Sequence, residues 1–155
     1  LGSFVGVSER LSAITWGAED MATDLGATTN TDASGKHFLV HQLSRTSALA
    51  VGAAGNFQPV DGVYLDFRDE SGLRQESVCA RREGFSGKMA IHPAQVAVIN
   101  ECFTPSEDEI AHARRVVQAF ADSDGAGTIG LDGKMLDIPH LKQAKRLLLT
   151  AERDF

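Results

Sequence analysis

Cysteine and the larger aromatic residues are scarce in this sequence, which has two cysteines, one tryptophan and one tyrosine among its 155 residues. Cys79 and Cys102 lie in segments with a helical pattern and have no CxxC spacing, which argues against a disulfide framework or a zinc site. We expect both to be buried thiols in a reducing compartment.

Long apolar runs and blocks of like charge are also absent. No stretch approaches the roughly 18 consecutive apolar residues of a membrane span, and residues 1–5 lack the basic and apolar regions of a signal peptide. The 15 basic and 21 acidic residues are interspersed and give a formal net charge of −6. We therefore predict a cytoplasmic protein whose partners include neither membranes nor nucleic acid.

The first two thirds of the chain alternate short apolar segments with helical patterns. Three strands are predicted, at residues 11–16, 60–67 and 88–91, and each is followed by a helix, at residues 41–55, 73–83 and 93–103. Because parallel strands need a long return connection, this β-α-β-α-β-α order predicts a parallel sheet with right-handed crossovers.

The last third has a different pattern. A capping signal at residues 104–109 and an apolar face on one side predict a helix that runs to about Ser123. A glycine-rich stretch at 125–133 follows, and residues 139–151 form a second amphipathic pattern. We therefore divide the chain into residues 1–103, with three β/α units, and residues 104–155, a mostly helical extension.

Two aspartates lie where chemistry could take place. Asp20 follows the first predicted strand, and parallel α/β folds bind ligands at the carboxyl ends of their strands. Position alone gives Asp20 even odds of being only a helix N-cap, and it favours that role for Asp137, which precedes the last helix. The residues by themselves leave both alternatives open.

Three segments share an order and spacing that point to one family. They are Gly-Ala-Glu-Asp-Met-Ala-Thr-Asp-Leu-Gly-Ala at 17–27, Gly-Phe-Ser-Gly-Lys-Met-Ala-Ile-His-Pro-Ala-Gln at 84–95, and Gly-Lys-Met-Leu-Asp at 133–137. They resemble the citrate lyase beta-subunit-like family of the HpcH/HpaI aldolase group, which includes malyl-CoA and citramalyl-CoA lyases. The resemblance covers essentially the whole chain. It implies an α/β fold, the C-terminal half of a (β/α)8 TIM barrel followed by a mostly helical C-terminal lid extension.

The resemblance implies a metal and substrate site at the end of the first strand. Asp20 would be a ligand of Mg²⁺, with Mn²⁺ as an alternative, and the backbone amides of Gly17, Ala18 and Glu19 would hold the substrate carboxylate. Mg²⁺ suits such a site because it usually takes only one or two carboxylates and keeps water and substrate oxygens as its other ligands.

The resemblance also implies roles further along the chain. Asp137 would be the general acid/base, delivered by a lid from a neighbouring subunit of a homo-oligomer, a trimer by family analogy. Ile91, His92 and Pro93 would line the site of a CoA thioester, with His92 not catalytic.

The activity implied is a magnesium-dependent carbon–carbon lyase. It would cleave a hydroxy-carboxyacyl-CoA of the citramalyl-CoA or malyl-CoA type to acetyl-CoA and a 2-oxo acid. Two alternatives stay open: a citrate lyase beta subunit, which cleaves a citryl thioester to oxaloacetate, and a non-catalytic barrel protein. The family's second metal ligand, a glutamate, and its substrate arginine have no counterpart here. Since a complete barrel needs about 250 residues, we expect further polypeptide before Leu1.

Overall fold

The computed structural model describes residues 4–152, and the chain divides into two compact units, Leu1–Phe103 and Thr104–Phe155. The first unit alternates strands with helices, in the order β1 (Ala13–Ile14), α1 (Ala18–Asp24), α2 (Leu39–Gly55), β2 (Gln58–Asp61), α3 (Glu70–Glu83), β3 (Gly87–Lys88) and α4 (Pro93–Phe103). The second consists of α5 (Glu107–Ala121), β4 (Thr128–Leu131), β5 (Lys134–Asp137) and α6 (Ile138–Ala151). Among the described residues no helix is long and apolar enough to cross a bilayer.

The sheet of the first unit is parallel, as predicted, with β2 between β1 and β3. Its strands are shorter than predicted, and the expectation of a strand over residues 60–67 is wrong beyond Asp61. The alternation of apolar residues does continue there, but the backbone leaves the ladder at Gly62, and Leu65 is exposed. Alternation alone indicates a strand only where a neighbouring strand is present to pair with it.

Helix α3 begins three residues earlier than its apolar pattern predicts, because a side chain caps it. Asp69 Oδ1 accepts the backbone N–H of Gly72 at 2.9 Å, and Asp69 Oδ2 accepts the hydroxyl of Tyr64 at 2.6 Å. The helix ends as predicted at Gly84, whose φ of 113° suits glycine far better than any other residue.

Apolar packing in the first unit is concentrated between α3 and α4. The buried side chains of this cluster are Leu73, Ala80, Phe85, Val98, Ile99, Cys102 and Phe103. The prediction of a buried thiol is confirmed for Cys102 and wrong for Cys79, which is exposed. Cys79 precedes Ala80, which is fully buried, and successive residues of a helix point about 100° apart.

The second unit contains a β-hairpin that the sequence pattern did not reveal. β4 and β5 pair antiparallel, and the turn between them is Asp132-Gly133, with φ angles of 50° and 74°. Such angles define a two-residue turn for which Asp-Gly is a preferred sequence. The signal was present, but it lies within a stretch that reads as glycine-rich loop. Leu136 of β5 packs with Ala113, Val116 and Phe120 of α5 and with Ala144 of α6.

The last residue of β2, Asp61, is a buried carboxylate that joins the elements around it. It accepts hydrogen bonds from Trp16 Nε1 at 2.9 Å and from Arg45 Nε and Nη2 at 2.8 and 3.1 Å. Lys88 Nζ of β3 lies 3.4 Å from its second oxygen. Burial acts to raise the pKa of Asp61, but the hydrogen bond from Arg45, the charge of Lys88 and the hydrogen bond from Trp16 outweigh it. These groups hold the pKa below its ordinary value.

We predict that Asp61→Asn lowers the free energy of unfolding by about 1.5–3 kcal/mol, because Arg45 and the buried Lys88 lose their shared partner while they retain Glu83 and Glu76. A depressed native pKa stabilises the fold above the ordinary aspartate range, and this contribution disappears as the pH falls through the native pKa. Urea unfolding at several pH values measures both effects. The exposed Asp24→Asn removes the same charge and serves as the control; equal losses in the two variants would contradict the prediction.

Candidate active site

The carboxyl ends of β1 and β2 are held against each other at close range. Trp16 and Gly17 follow β1, and Trp16 binds Asp61 at the end of β2. At Gly62 an added Cβ would lie 3.2 Å from Trp16 Nε1, so this position has little room for a side chain. Gly17 is therefore placed next to the end of the central strand.

Gln95 connects the segments that follow β2 and β3. Its Oε1 accepts the backbone N–H groups of Ile91 and His92 at 2.8 and 3.2 Å, and its Nε2 donates to the carbonyl of Tyr64 at 2.8 Å. The Gln95 side chain is 1% exposed. One buried amide thus fixes the turn that contains the predicted CoA-lining residues, and nothing in the sequence pattern distinguished it.

Gly17, Ala18, Glu19 and Asp20 form the start of α1. Gly17 is the N-cap and Asp20 the third residue of the helix, so the alternative that Asp20 is the N-cap is wrong. The Asp20 side chain is exposed, and a Cβ added at Gly17 would lie 2.8 Å from its Oδ2. Glycine at position 17 therefore leaves space for the Asp20 carboxylate beside the first turn of α1.

The other groups at this helix start differ in exposure. Ala18 is buried, whereas Glu19 is exposed and its Oε1 accepts Asn30 Nδ2 at 3.2 Å. The first N–H groups of a helix have no partner within the helix, so they can bind an anion. This geometry is compatible with amides that hold a substrate carboxylate.

The segment 91–93 forms the turn into α4, where Pro93 is the first residue. The ring of His92 stacks on Phe67, with centroids 4.4 Å apart, and its Nδ1 accepts the backbone N–H of Ala94 at 3.2 Å. The guanidinium carbon of Arg68 lies 4.6 Å from the centre of the Phe67 ring. Nothing in the spacing of Phe67 and Arg68 along the sequence indicates this stack.

Asp137 is the last residue of β5 and the N-cap of α6, the position that the residues alone favoured. Its side chain is 45% exposed, and its Oδ1 lies 2.5 Å from Nδ1 of His140. This hydrogen bond lowers the pKa of the Asp137 carboxyl below its ordinary value. His140 was not recognised as part of the site, although its position three residues after a helix cap was a usable signal.

Asp20 belongs to the first unit of the chain and Asp137 to the second. In residues 4–152 no three histidine, cysteine, aspartate or glutamate side chains are grouped as a metal site. Within that part of the chain the metal prediction therefore rests on Asp20.

Comparison with known proteins identifies relatives along most of the chain. A family model described as C–C bond lyase of the TIM-barrel fold matches residues 13–153. Mitochondrial citramalyl-CoA lyase of Rattus norvegicus is 38% identical over 143 residues, which are 91% of this chain and 41% of that protein. Citrate lyase subunit beta of Escherichia coli strain K12 is 37% identical over 147 residues, which are 94% of this chain and 47% of that protein.

A solved structure shows the same fold. The crystal structure of protein CitE from Mycobacterium tuberculosis, in complex with magnesium, acetoacetate and coenzyme A, is similar with a TM-score of 0.76 and 33% identity. The similarity covers 90% of this chain and 51% of that one. The chain thus spans about half the length of the relatives it matches.

We predict that Gln95→Leu loosens the turn at residues 91–93, because the N–H groups of Ile91 and His92 lose their acceptor. An unpaired buried polar group costs about 1–3 kcal/mol. Amide hydrogen exchange at Ile91 and His92 should accelerate, and the free energy of unfolding should fall by a similar amount. Gln75→Leu, at an exposed position of α3, is the control. Unchanged exchange at both amides in Gln95→Leu would refute the role given to this side chain.

Proposed function

The chain belongs to the C–C bond lyase family of the TIM-barrel fold, and from this premise we propose that it serves in the cleavage of a hydroxy-carboxyacyl-CoA. The substrate would be of the citramalyl-CoA or malyl-CoA type, and the products would be acetyl-CoA and a 2-oxo acid. The observation that carries the proposal is that the family match spans both Asp20 and Asp137. Both carboxylates are accessible to solvent at the ends of structural elements.

Asp20 would hold Mg²⁺, or Mn²⁺ in its place. An exposed carboxylate fits Mg²⁺, which takes few protein ligands and retains water and substrate oxygens around it. When bound, the ion would supply Lewis-acid stabilisation of negative charge on the substrate. The magnesium and coenzyme A in the CitE complex support this choice of cofactor and substrate class.

The start of α1 would orient the 2-oxo acid portion of the substrate. We assign the backbone N–H groups of Gly17, Ala18 and Glu19 to the substrate carboxylate, because a helix N-terminus favours an anion. Glycine at the N-cap allows close approach of the backbone to such a ligand.

Asp137 would move the proton. Cleavage breaks the bond between the hydroxyl-bearing carbon and the carbon beside the thioester carbonyl. The hydroxyl loses its proton to solvent as its carbon becomes the carbonyl of the 2-oxo acid, and the other product is an acetyl-thioester enolate that needs a proton on carbon. Asp137 would donate that proton, and in the condensation direction it would remove it again.

The remaining assignments concern the thioester and the assembly. Ile91, His92 and Pro93 would line the CoA site, with the His92 ring held by its stack on Phe67 rather than engaged in catalysis. A homo-oligomer, a trimer in which the lid with Asp137 reaches a neighbouring subunit, stays a prediction from the family resemblance. The cytoplasmic location also stays a prediction.

A citrate lyase beta subunit is the second candidate. The match to the Escherichia coli subunit, at 37% identity, supports it almost as well as the match to citramalyl-CoA lyase supports the first. Both candidates use the same two aspartates and differ only in the thioester and in the 2-oxo acid released. Substrate comparison is therefore the deciding measurement.

We expect the native protein to cleave citramalyl-CoA or malyl-CoA in the presence of Mg²⁺ and to lose this activity in EDTA. Asp137→Asn should lower kcat by about 10²–10⁴-fold, the usual contribution of a general acid or base, and Asp20→Asn should also abolish the response to Mg²⁺. Detection of the 2-oxo acid measures turnover, with Asp24→Asn as a charge-matched control. Cleavage of a citryl thioester alone would select the second candidate. No turnover of any of these thioesters would favour the non-catalytic alternative.

We also expect Gly17→Ala to weaken metal binding about tenfold, a typical effect of disturbing the support of a metal ligand. The new methyl group would lie 2.8 Å from Asp20 Oδ2 and displace the carboxylate. Mn²⁺ binding, followed by electron paramagnetic resonance, measures the affinity without any turnover. Gly127→Ala, where an added Cβ meets nothing within 4 Å, is the control. Equal Mn²⁺ affinity in the two variants would show that Gly17 does not support the metal site.

A further inference from the structure

His140 is the third residue of α6, and its ring reaches back to Asp137 at the start of the helix. Nδ1 lies 2.5 Å from Oδ1 of Asp137 and 3.2 Å from its backbone nitrogen. Both side chains are about half exposed, at 49% and 45%. Nδ1 can accept the backbone N–H of Asp137 when it carries no proton, or donate to Oδ1 when it carries one, but it cannot do both at once, and the ring stays open to solvent.

Helix capping accounts for only part of this arrangement. In a capping box the third helical residue accepts the N–H of the N-cap residue, and glutamate or glutamine usually supplies that acceptor. A histidine adds two properties that glutamate lacks, namely an N–H that can donate to a carboxylate and a charge that changes near neutral pH. The contact pairs an imidazole nitrogen with a carboxylate oxygen, a combination that forms a charge-assisted hydrogen bond when the ring is protonated.

Other polar groups also lie near His140. The ring lines a groove of about 190 Å³, where Glu109 and His112 of α5 and Gln143 of its own helix also lie. The carboxylate of Glu109 accepts the backbone N–H of Ser106 at 2.8 Å, and the carboxylate of Asp137 is in direct contact with the ring.

The contact between His140 and Asp137 also bears on the source of the proton that Asp137 donates in the cleavage direction. An aspartate is ionised at neutral pH even at its ordinary pKa, and the hydrogen bond with His140 lowers the pKa of Asp137 further, so the proton for the enolate must first reach this carboxyl. The carboxyl is about half exposed and can take that proton from water or from the ring beside it. The imidazole of His140 is within hydrogen-bond distance of Asp137 and is itself about half exposed.

We propose that His140 is a positioning residue for Asp137 that fixes Oδ1 and passes protons between Asp137 and solvent. The inference rests on the proposed function, in which Asp137 moves the proton. In cleavage, the His140 imidazolium gives its proton to the Asp137 carboxylate, and the resulting acid gives it to the enolate carbon. The neutral ring then takes a proton from water. Condensation reverses each transfer.

Two substitutions of His140 separate proton transfer from helix capping. Both His140→Gln and His140→Glu keep an acceptor at the third helical position, so the helix cap should persist in each. Thermal unfolding of His140→Gln should match that of the native protein, and that of His140→Glu should occur at a slightly lower temperature because two carboxylates then face each other. His140→Gln still donates to Asp137 but cannot carry a proton, and His140→Glu neither donates nor stabilises the ionised carboxylate. His112→Gln, in the same groove, is the matched control.

The expected results differ in the pH dependence of kcat. In the cleavage direction His140→Gln should lower kcat about tenfold with KM within twofold, and it should flatten the pH profile because glutamine does not ionise. His140→Glu should lower kcat further, and His112→Gln should leave the profile unchanged. The proposal would be overturned if the pH profile of His140→Gln superimposed on the native one, or if His140→Gln and His140→Glu had equal kcat values.

A second measurement does not depend on turnover. Carboxyl resonances from ¹³C NMR should show the pKa of Asp137 below its ordinary value in the native chain and higher in His140→Glu. An unchanged carboxyl titration in His140→Glu would refute the contact itself. Absence of turnover in the native protein would instead contradict the proposed function, so the two failures are distinguishable.

Discussion

The first unit depends on one buried carboxylate. β1 and β3 contain two residues each and β2 contains four, so ladder hydrogen bonds alone give this sheet little support. Asp61 binds Trp16, Arg45 and Lys88 and thereby joins the end of β1, the side of α2 and β3. Burying a charge in this way is tolerated only with complete pairing. The residues expected to bind ligands lie immediately beyond these joined ends.

The first unit separates its apolar packing from its polar connections. The apolar cluster lies between α3 and α4, whereas the carboxyl ends of the strands are connected by hydrogen bonds of Asp61 and Gln95. Hydrogen bonds have narrow preferences in distance and angle, so they position a backbone more narrowly than apolar contacts do. A ligand-binding edge built from them can present glycine and amide groups in fixed places.

The two aspartates share a location at a helix start but differ in their partners. Asp20 is exposed in the first turn of α1, and Gly17 leaves space beside its carboxylate. Such a position suits a metal ligand that must remain accessible. Asp137 is an N-cap with its carboxylate against His140, which suits a group that exchanges protons. The hydrogen bond with His140 favours the ionised form of Asp137. Their chemistry is thus set by neighbours rather than by residue type.

The amino-acid sequence alone was enough to predict the α/β class, the parallel order of the sheet, the end of α3 at Gly84, helix α4, the cap at Asp137 and the family. Those features depend on apolar periodicity and on hydrogen bonds within a few residues, which a linear pattern records. Only the tertiary structure decided where the strands end and which polar groups meet. Asp61 is 45, 16 and 27 positions from Trp16, Arg45 and Lys88, and Gln95 is 31 positions from Tyr64. Contacts at such separations form only when the chain folds, because no local preference of either partner specifies the other.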